Sequence, residues 1–191
     1  MSTISVLQKL RASYQPKLPT ALRGDVKMVV GEPTESVADQ EQIQELFPTT
    51  YGLPQITFVP DENPKKGQAK PINVGVILSG GQAPGGHNVI SGVFDGIKKI
   101  HPESRLFGFL MGPDGLVKHD YMELTSDIID QYRNTGGFDM IGSGRTKLDK
   151  EEQFEKGLEI IRKLNLKAVV IIGGDDSNTN EIGRASCRER V

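Results

Sequence analysis

From Ile72 onward the apolar residues fall into two alternating textures: short unbroken runs, and longer stretches at helical spacing. Val74–Leu78 and Ala168–Ile172 are runs without a polar residue, each followed by a glycine-rich turn. A strand apolar on both faces belongs in a parallel sheet covered by helices. Arg105–Met111 predicts a further strand, ending at Gly112-Pro113-Asp114-Gly115. Between the runs, Ile90, Val93, Ile97 and Ile100 predict a helix over His87–Ile100. Thr125–Arg133 predicts a short helix stopped by Asn134-Thr135-Gly136-Gly137.

The stretch from Lys150 carries the clearest helical signal, with Phe154, Leu158, Ile161 and Leu164 as its apolar stripe. Asp149 with Glu152 three residues on has the pattern of a capping box. Glu151 and Glu152 sit at the positive end of the helix, Arg162 and Lys163 at the negative end. The fold class expected is α/β, a parallel sheet covered by helices.

Residues 1–70 have another character. They hold seven of the eleven prolines, a density that blocks long helices and central strands. An extended arm with short helices is expected there, one of them over Val37–Leu46, with Asp61–Gln68 as an exposed loop into the main domain. The α/β domain is expected over residues 71–180.

Composition narrows the function classes. A net charge of −2 leaves no basic footprint for nucleic acid or an anionic membrane. No apolar stretch approaches the roughly 20 residues that span a bilayer, and the N-terminus lacks the apolar core of a secretory signal. A cytoplasmic protein is expected. The single cysteine, Cys187, lies in the last eleven residues, so disulfides play no part upstream. Residues 181–191 have neither a helical stripe nor strand alternation, and they resemble the in-frame translation of a sequencing adapter. They are expected to be a non-native tail, without which the net charge moves from −2 to −3.

Three glycine-rich turns carry the candidate chemistry. In the first, Gly80 and Gly81 follow a strand and lead into a helix, where backbone N–H groups and the helix dipole attract anions. The spacing fits neither a dinucleotide-binding Gly-x-Gly-x-x-Gly nor a Walker loop. In the second, Ile141-Gly142-Ser143-Gly144-Arg145-Thr146, Arg145 can pair with phosphate oxygens. In the third, Gly173-Gly174-Asp175-Asp176, two adjacent carboxylates sit at the carboxyl end of a strand, where open α/β sheets bind ligands. A carboxylate there can hold Mg²⁺ together with phosphate oxygens. Each feature also has a plainer reading: a tight turn, a surface arginine, an aspartate capping a following helix. Together they point to a Mg-phosphate site. His87, His101 and His119 show no metal-ligand spacing, and Lys118-His119-Asp120 reads as a polar loop.

The order and spacing of Ser79-Gly80-Gly81-Gln82-Ala83-Pro84-Gly85-Gly86-His87-Asn88, Gly142-Ser143-Gly144-Arg145 and Gly173-Gly174-Asp175-Asp176-Ser177-Asn178-Thr179 resemble the phosphofructokinase family. The Asp-Asp pair, with Gln15-Pro16-Lys17-Leu18-Pro19 and Thr49-Thr50-Tyr51-Gly52, is similar to its long, pyrophosphate-dependent branch, over nearly all of residues 1–180. The resemblance implies a Rossmann-like three-layer fold and reversible phosphoryl transfer from pyrophosphate to the 1-hydroxyl of fructose 6-phosphate. It implies that Gly80 and Gly81 bind pyrophosphate, that Arg145 lies against the phosphoryl group, and that Asp175 holds Mg²⁺. Asp176 stands where ATP-using relatives have glycine, and its charge and volume would exclude the nucleotide.

The resemblance further implies a homo- or hetero-oligomer of related subunits. The family's catalytic base belongs to a Thr-Ile-Asp-Gly-Asp motif that this sequence does not contain. The 191 residues are therefore expected to be an inactive, poorly soluble N-terminal fragment. The alternatives are a non-catalytic phosphate-sensing subunit and an ATP-dependent 6-phosphofructokinase.

Overall fold

The computed structural model describes residues 5–19, 23–64, 69–81, 84–174 and 177. In chain order its elements are α1 (Val6–Ser13), β1 (Val26–Pro33), α2 (Gln40–Leu46), β2 (Pro54–Pro60), β3 (Asn73–Leu78), α3 (Gly86–Ile100), β4 (Arg105–Phe109), α4 (Pro113–Lys118), β5 (Tyr121–Glu123), α5 (Ser126–Tyr132), α6 (Glu151–Lys163) and β6 (Leu166–Ile172). They divide into two compact units, Gln15–Gln68 and the remainder.

The smaller unit departs from the extended arm expected of it. β1 and β2 pair antiparallel, from Val26↔Pro60 to Val30↔Ile56, before the register shifts at Pro33↔Pro54. Proline density argues against a central strand, but Pro33, Pro54 and Pro60 each occupy a strand end. There, in a two-stranded sheet, the missing N–H costs little. Past the end of β1, Thr34 Oγ1 donates to the Leu53 carbonyl at 2.7 Å and closes the ladder. The helix expected over Val37–Leu46 begins only at Gln40, because Asp39 is left-handed with φ of 53°.

The larger unit holds a four-stranded sheet in the order β5-β4-β3-β6. β3 pairs in parallel with β4 and β6, while β5 runs antiparallel to β4. Because side chains alternate along a strand, β3 feeds two cores. Val74, Val76 and Leu78 join Ile90, Phe94, Ile97 and Ile129 on one face. Ile77 joins Phe107, Phe109, Leu116 and Ile160 on the other. α3 and α5 thus cover one face and α4 and α6 the other, the three layers expected. β6, the outer strand among the described residues, has Val169–Ile172 half-buried.

Several local features differ from the sequence reading. The strand expected to reach Met111 ends at Phe109, and Met111 turns to φ of 57°. The polar loop at Lys118-His119-Asp120 closes α4, with His119 as a left-handed cap that hydrogen-bonds Lys156 O at 2.9 Å through Nε2. α6 starts one residue later than Lys150, and its cap is Gln153. Gln153 Oε1 accepts from the backbone N–H groups of Asp149 and Lys150 at 3.1 and 3.0 Å. α1 is closed by a capping box between Ser5 and Gln8. It is tied to the turn after α5 by Asn134, whose Nδ2 donates to the carbonyls of Arg11 and Tyr14 at 2.7 and 3.1 Å.

Candidate functional site

The site forms where β3 and β6 end side by side. Ser79, the first residue past β3, donates its N–H to Ile172 O at 2.8 Å. One residue on, Gly80 N donates to Gly144 O at 2.8 Å, and Ser79 makes a parallel bridge with Gly144. Two of the glycine-rich turns are thereby stitched together by their backbones, 64 residues apart in sequence.

The turn after β4 adds a third strip of backbone beneath them. Met111 N donates to Ile141 O at 2.8 Å. A methyl group on Gly144 would stand 2.1 Å from Met111 O, and one on Gly112 would stand 2.5 Å from Gly144 N and 2.8 Å from Leu78 O. Only residues without Cβ let these chains pass so closely.

Arg145 is exposed and reaches back over the first turn. A methyl group on Gly81 would come within 3.1 Å of its Nη2. The structure therefore brings together three of the five residues singled out from the sequence: Gly80, Gly81 and Arg145. Asp175 and Asp176 lie outside the described residues. Their flanks are described: Gly174 is exposed, with no described residue within 4 Å of where a side chain would begin, and Ser177 N donates to Gly174 O at 3.2 Å. Ser177 Oγ donates to Ser79 Oγ at 2.8 Å in a buried contact. Gly173 and Ser177, on either side of the two aspartates in sequence, both lie against Ser79.

The anion cradle expected at the helix start is built differently. α3 begins at Gly86, past Gly85 with φ of 103°, and not directly at Gly80-Gly81. Two N–H groups at its start are already used, Gly85 N by Gly136 O at 2.7 Å and His87 N by Gly137 O at 2.9 Å. The Arg145 guanidinium over Gly81 is itself a suitable seat for a phosphate oxygen.

His87, which shows no metal-ligand spacing in the sequence, has a structural role that spacing did not reveal. Its ring is 1% exposed. Met140 N donates to Nε2 at 3.0 Å, and Nδ1 lies 2.6 Å from Thr135 Oγ1, which itself donates to Tyr132 O at 2.6 Å. An N–H donor on Nε2 requires a lone pair there, so the proton sits on Nδ1 and the ring is neutral. Burial lowers its pKa from the ordinary 6.5, opposed by the Asp139 carboxylate 3.3 Å from Nε2. A signal was available: His87, Ile90, Phe94 and Ile97 share one helical face, and all are buried.

Among the described residues no helix is long and apolar enough to cross a membrane, and no three or more His, Cys, Asp or Glu side chains converge as a metal cluster.

The sequence profile of the family Phosphofructokinase matches residues 73–181. A protein of Porphyromonas gingivalis named pyrophosphate–fructose 6-phosphate 1-phosphotransferase is 66% identical over 176 residues, which cover 92% of this chain and 32% of that protein. Subunit beta 2 of the same-named enzyme in Arabidopsis thaliana is 45% identical over 179 residues, covering 94% of this chain and 32% of the relative. Among solved structures, the pyrophosphate-dependent phosphofructokinase of Nitrosospira multiformis superposes with a TM-score of 0.55 at 20% identity, covering 62% of this chain and 30% of that one. That superposition supports the fold. The chain spans about a third of the length of the curated relatives it matches.

Proposed function

This chain belongs to the phosphofructokinase family, and from that premise we propose that it forms the phosphoryl-donor side of a pyrophosphate–fructose 6-phosphate 1-phosphotransferase. The observation that carries the reading is the placement of the Arg145 guanidinium over Gly81, at the joined ends of β3 and β6.

In the forward reaction the 1-hydroxyl oxygen of fructose 6-phosphate bonds to one phosphorus of pyrophosphate. The bridging P–O bond breaks, orthophosphate leaves, and the hydroxyl proton passes to a general base. By the family resemblance that base is an aspartate beyond Asn180. The chemistry asks the protein for positioning and charge neutralisation more than for covalent work. Gly80 and Gly81 let the phosphates approach the backbone. Arg145 donates to the oxygens of the moving phosphoryl group, where charge spreads as the bond breaks.

A divalent cation belongs to this reading at the third turn, where the sequence sets two adjacent carboxylates, because Mg²⁺ is usually held by one or two carboxylates together with phosphate oxygens and water. Asp175 would hold it, and when bound it would neutralise charge on the pyrophosphate oxygens. Asp176 would exclude the α-phosphate of ATP by charge and volume, which sets the choice of donor.

The same reading extends to cytoplasmic location and to assembly with an identical or related subunit. An Arabidopsis relative named as a beta subunit supports the latter.

The test is donor-dependent formation of fructose 1,6-bisphosphate by the protein extended to the length of its relatives. Pyrophosphate with Mg²⁺ should support turnover and ATP should not, while Asp176→Gly should admit ATP. Arg145→Ala should lower kcat/KM for pyrophosphate by about 10- to 100-fold, the loss expected for a charge-assisted hydrogen bond. Equal turnover with ATP in the unaltered protein would refute the assignment of donor. Turnover with neither donor would refute the enzyme.

A further inference from the structure

We infer that His87 is a positioning residue for phosphoryl transfer: by clamping the loop 135–140 onto the start of α3, its imidazole sets where Arg145 lies over Gly81. The inference rests on the reading that Arg145 meets the phosphoryl group.

The loop from Thr135 to Arg145 is pinned at successive points. Nearest Arg145, Gly144 O accepts from Gly80 N, and before it Ile141 O accepts from Met111 N. Both are backbone contacts that no side-chain chemistry can alter. The pin next to Ile141 is different. Met140 N–H is held by a ring nitrogen, and the far side of the same ring holds Thr135. The ring lies flush on the loop, since a methyl group on Gly137 would come within 3.0 Å of its Cε1. One side chain on α3 thus holds both ends of a six-residue segment whose middle is held by backbone bonds from Gly85 N to Gly136 O and from His87 N to Gly137 O, and which leads directly into the arginine turn.

The clamp works in one protonation state. Nε2 must accept from Met140 while Nδ1–H donates to the Thr135 hydroxyl, whose own proton goes to Tyr132 O. A second proton, on Nε2, would face the Met140 N–H donor at 3.0 Å. Its available acceptor is the Asp139 carboxylate, 3.3 Å away and largely exposed. The ring would turn to Asp139 and leave a buried N–H unpaired, and the loop would shift to recover it.

Among the described residues the titratable groups found against the ring are Asp139, from the loop, and Tyr132, from the end of α5, in edge contact at 4.8 Å between centroids. Arg133, the next residue, directs its guanidinium to Asp95 and Asp130 instead. Asp139 favours the charged ring and burial disfavours it, with burial the larger effect. The clamp therefore holds at neutral pH and releases in acid.

The experiment compares unaltered protein with His87→Gln and His87→Ala, each at the length of the relatives, across pH 5 to 8. Glutamine can present its amide oxygen to Met140 N–H but does not titrate. Expected for the unaltered protein is a KM for pyrophosphate that rises about tenfold in acid, as a lost buried hydrogen bond implies, with little change in KM for fructose 6-phosphate. His87→Gln should keep near-normal turnover at neutral pH and lose most of that acid rise. His87→Ala should raise KM for pyrophosphate at every pH.

Ionisation of pyrophosphate itself affects all variants alike, so the comparison removes it. Protection of the Met140 amide, its exchange relative to the intrinsic rate at each pH, should fall in acid for the unaltered protein and not for His87→Gln when measured without substrate. The same acid rise in His87→Gln, or equal effects on both substrates, would overturn the inference and leave the proposed function standing. Absence of pyrophosphate turnover in unaltered protein would remove the function, whatever the exchange data show.

Discussion

The Arg145 guanidinium and Gly81 face each other so closely that a methyl group on the glycine would come within 3.1 Å of Nη2. The contact is with the far end of a flexible side chain, so Gly81→Ala should be accommodated by movement of the arginine. The fold should survive, with a change in melting temperature of no more than a few degrees, while KM for pyrophosphate rises by about tenfold as the guanidinium loses its seat. Thermal melts and steady-state kinetics on the same preparation check both halves.

Gly144 offers the opposite case. A methyl group there would stand 2.1 Å from Met111 O, a backbone atom that cannot swing aside. Gly144→Ala should cost about 3 kcal/mol or more, in the range of severe overpacking. Urea unfolding should report it as a shift in midpoint at unchanged slope.

At the third turn, Gly173 and Gly174 should differ sharply although they are adjacent. A methyl group on Gly173 would meet Ser177 Oγ at 2.2 Å and Ser79 O at 2.6 Å, whereas none of this surrounds Gly174. Gly173→Ala should break the Ser177–Ser79 hydrogen bond, and Ser177→Ala should reproduce about 1 kcal/mol of that loss. Gly174→Ala should be close to neutral in stability. Chemical denaturation of the three variants ranks them.

Stability should also depend on pH through His87. Its folded pKa lies below the ordinary 6.5, so between the two values the unfolded chain binds more protons. The contribution of the neutral ring is fully present above pH 6.5 and is lost as pH falls through the folded value. Melting temperature should therefore decline below pH 6.5 in the unaltered protein and decline less in His87→Gln. Calorimetry at matched ionic strength measures the difference.

Much of the layered fold was legible because its signals are local. The five-residue apolar runs at Val74 and Ala168 and the spaced isoleucines of α3 read out their elements without reference to partners. The antiparallel β5 was not legible: Tyr121–Glu123 is only three residues long and pairs by lying against Phe107–Phe109. The hairpin of β1 and β2 was hidden because proline density masks strands whose prolines all fall at the ends.

By itself the sequence determined which residue types stand on which turns: glycines where the backbone must be approached, Arg145 on the second turn, Asp175 and Asp176 on the third. It also determined the family, because the order of those motifs is a property of the chain alone. Tertiary structure decided which of them meet. Gly80 finds Gly144, Ser79 finds Ser177 98 residues on, and His87 finds Thr135 and Met140 at separations of 48 and 53. Backbone hydrogen bonds between turns and the tautomer of a buried ring carry no periodicity along the chain, so they come into being only when the strands have been laid side by side.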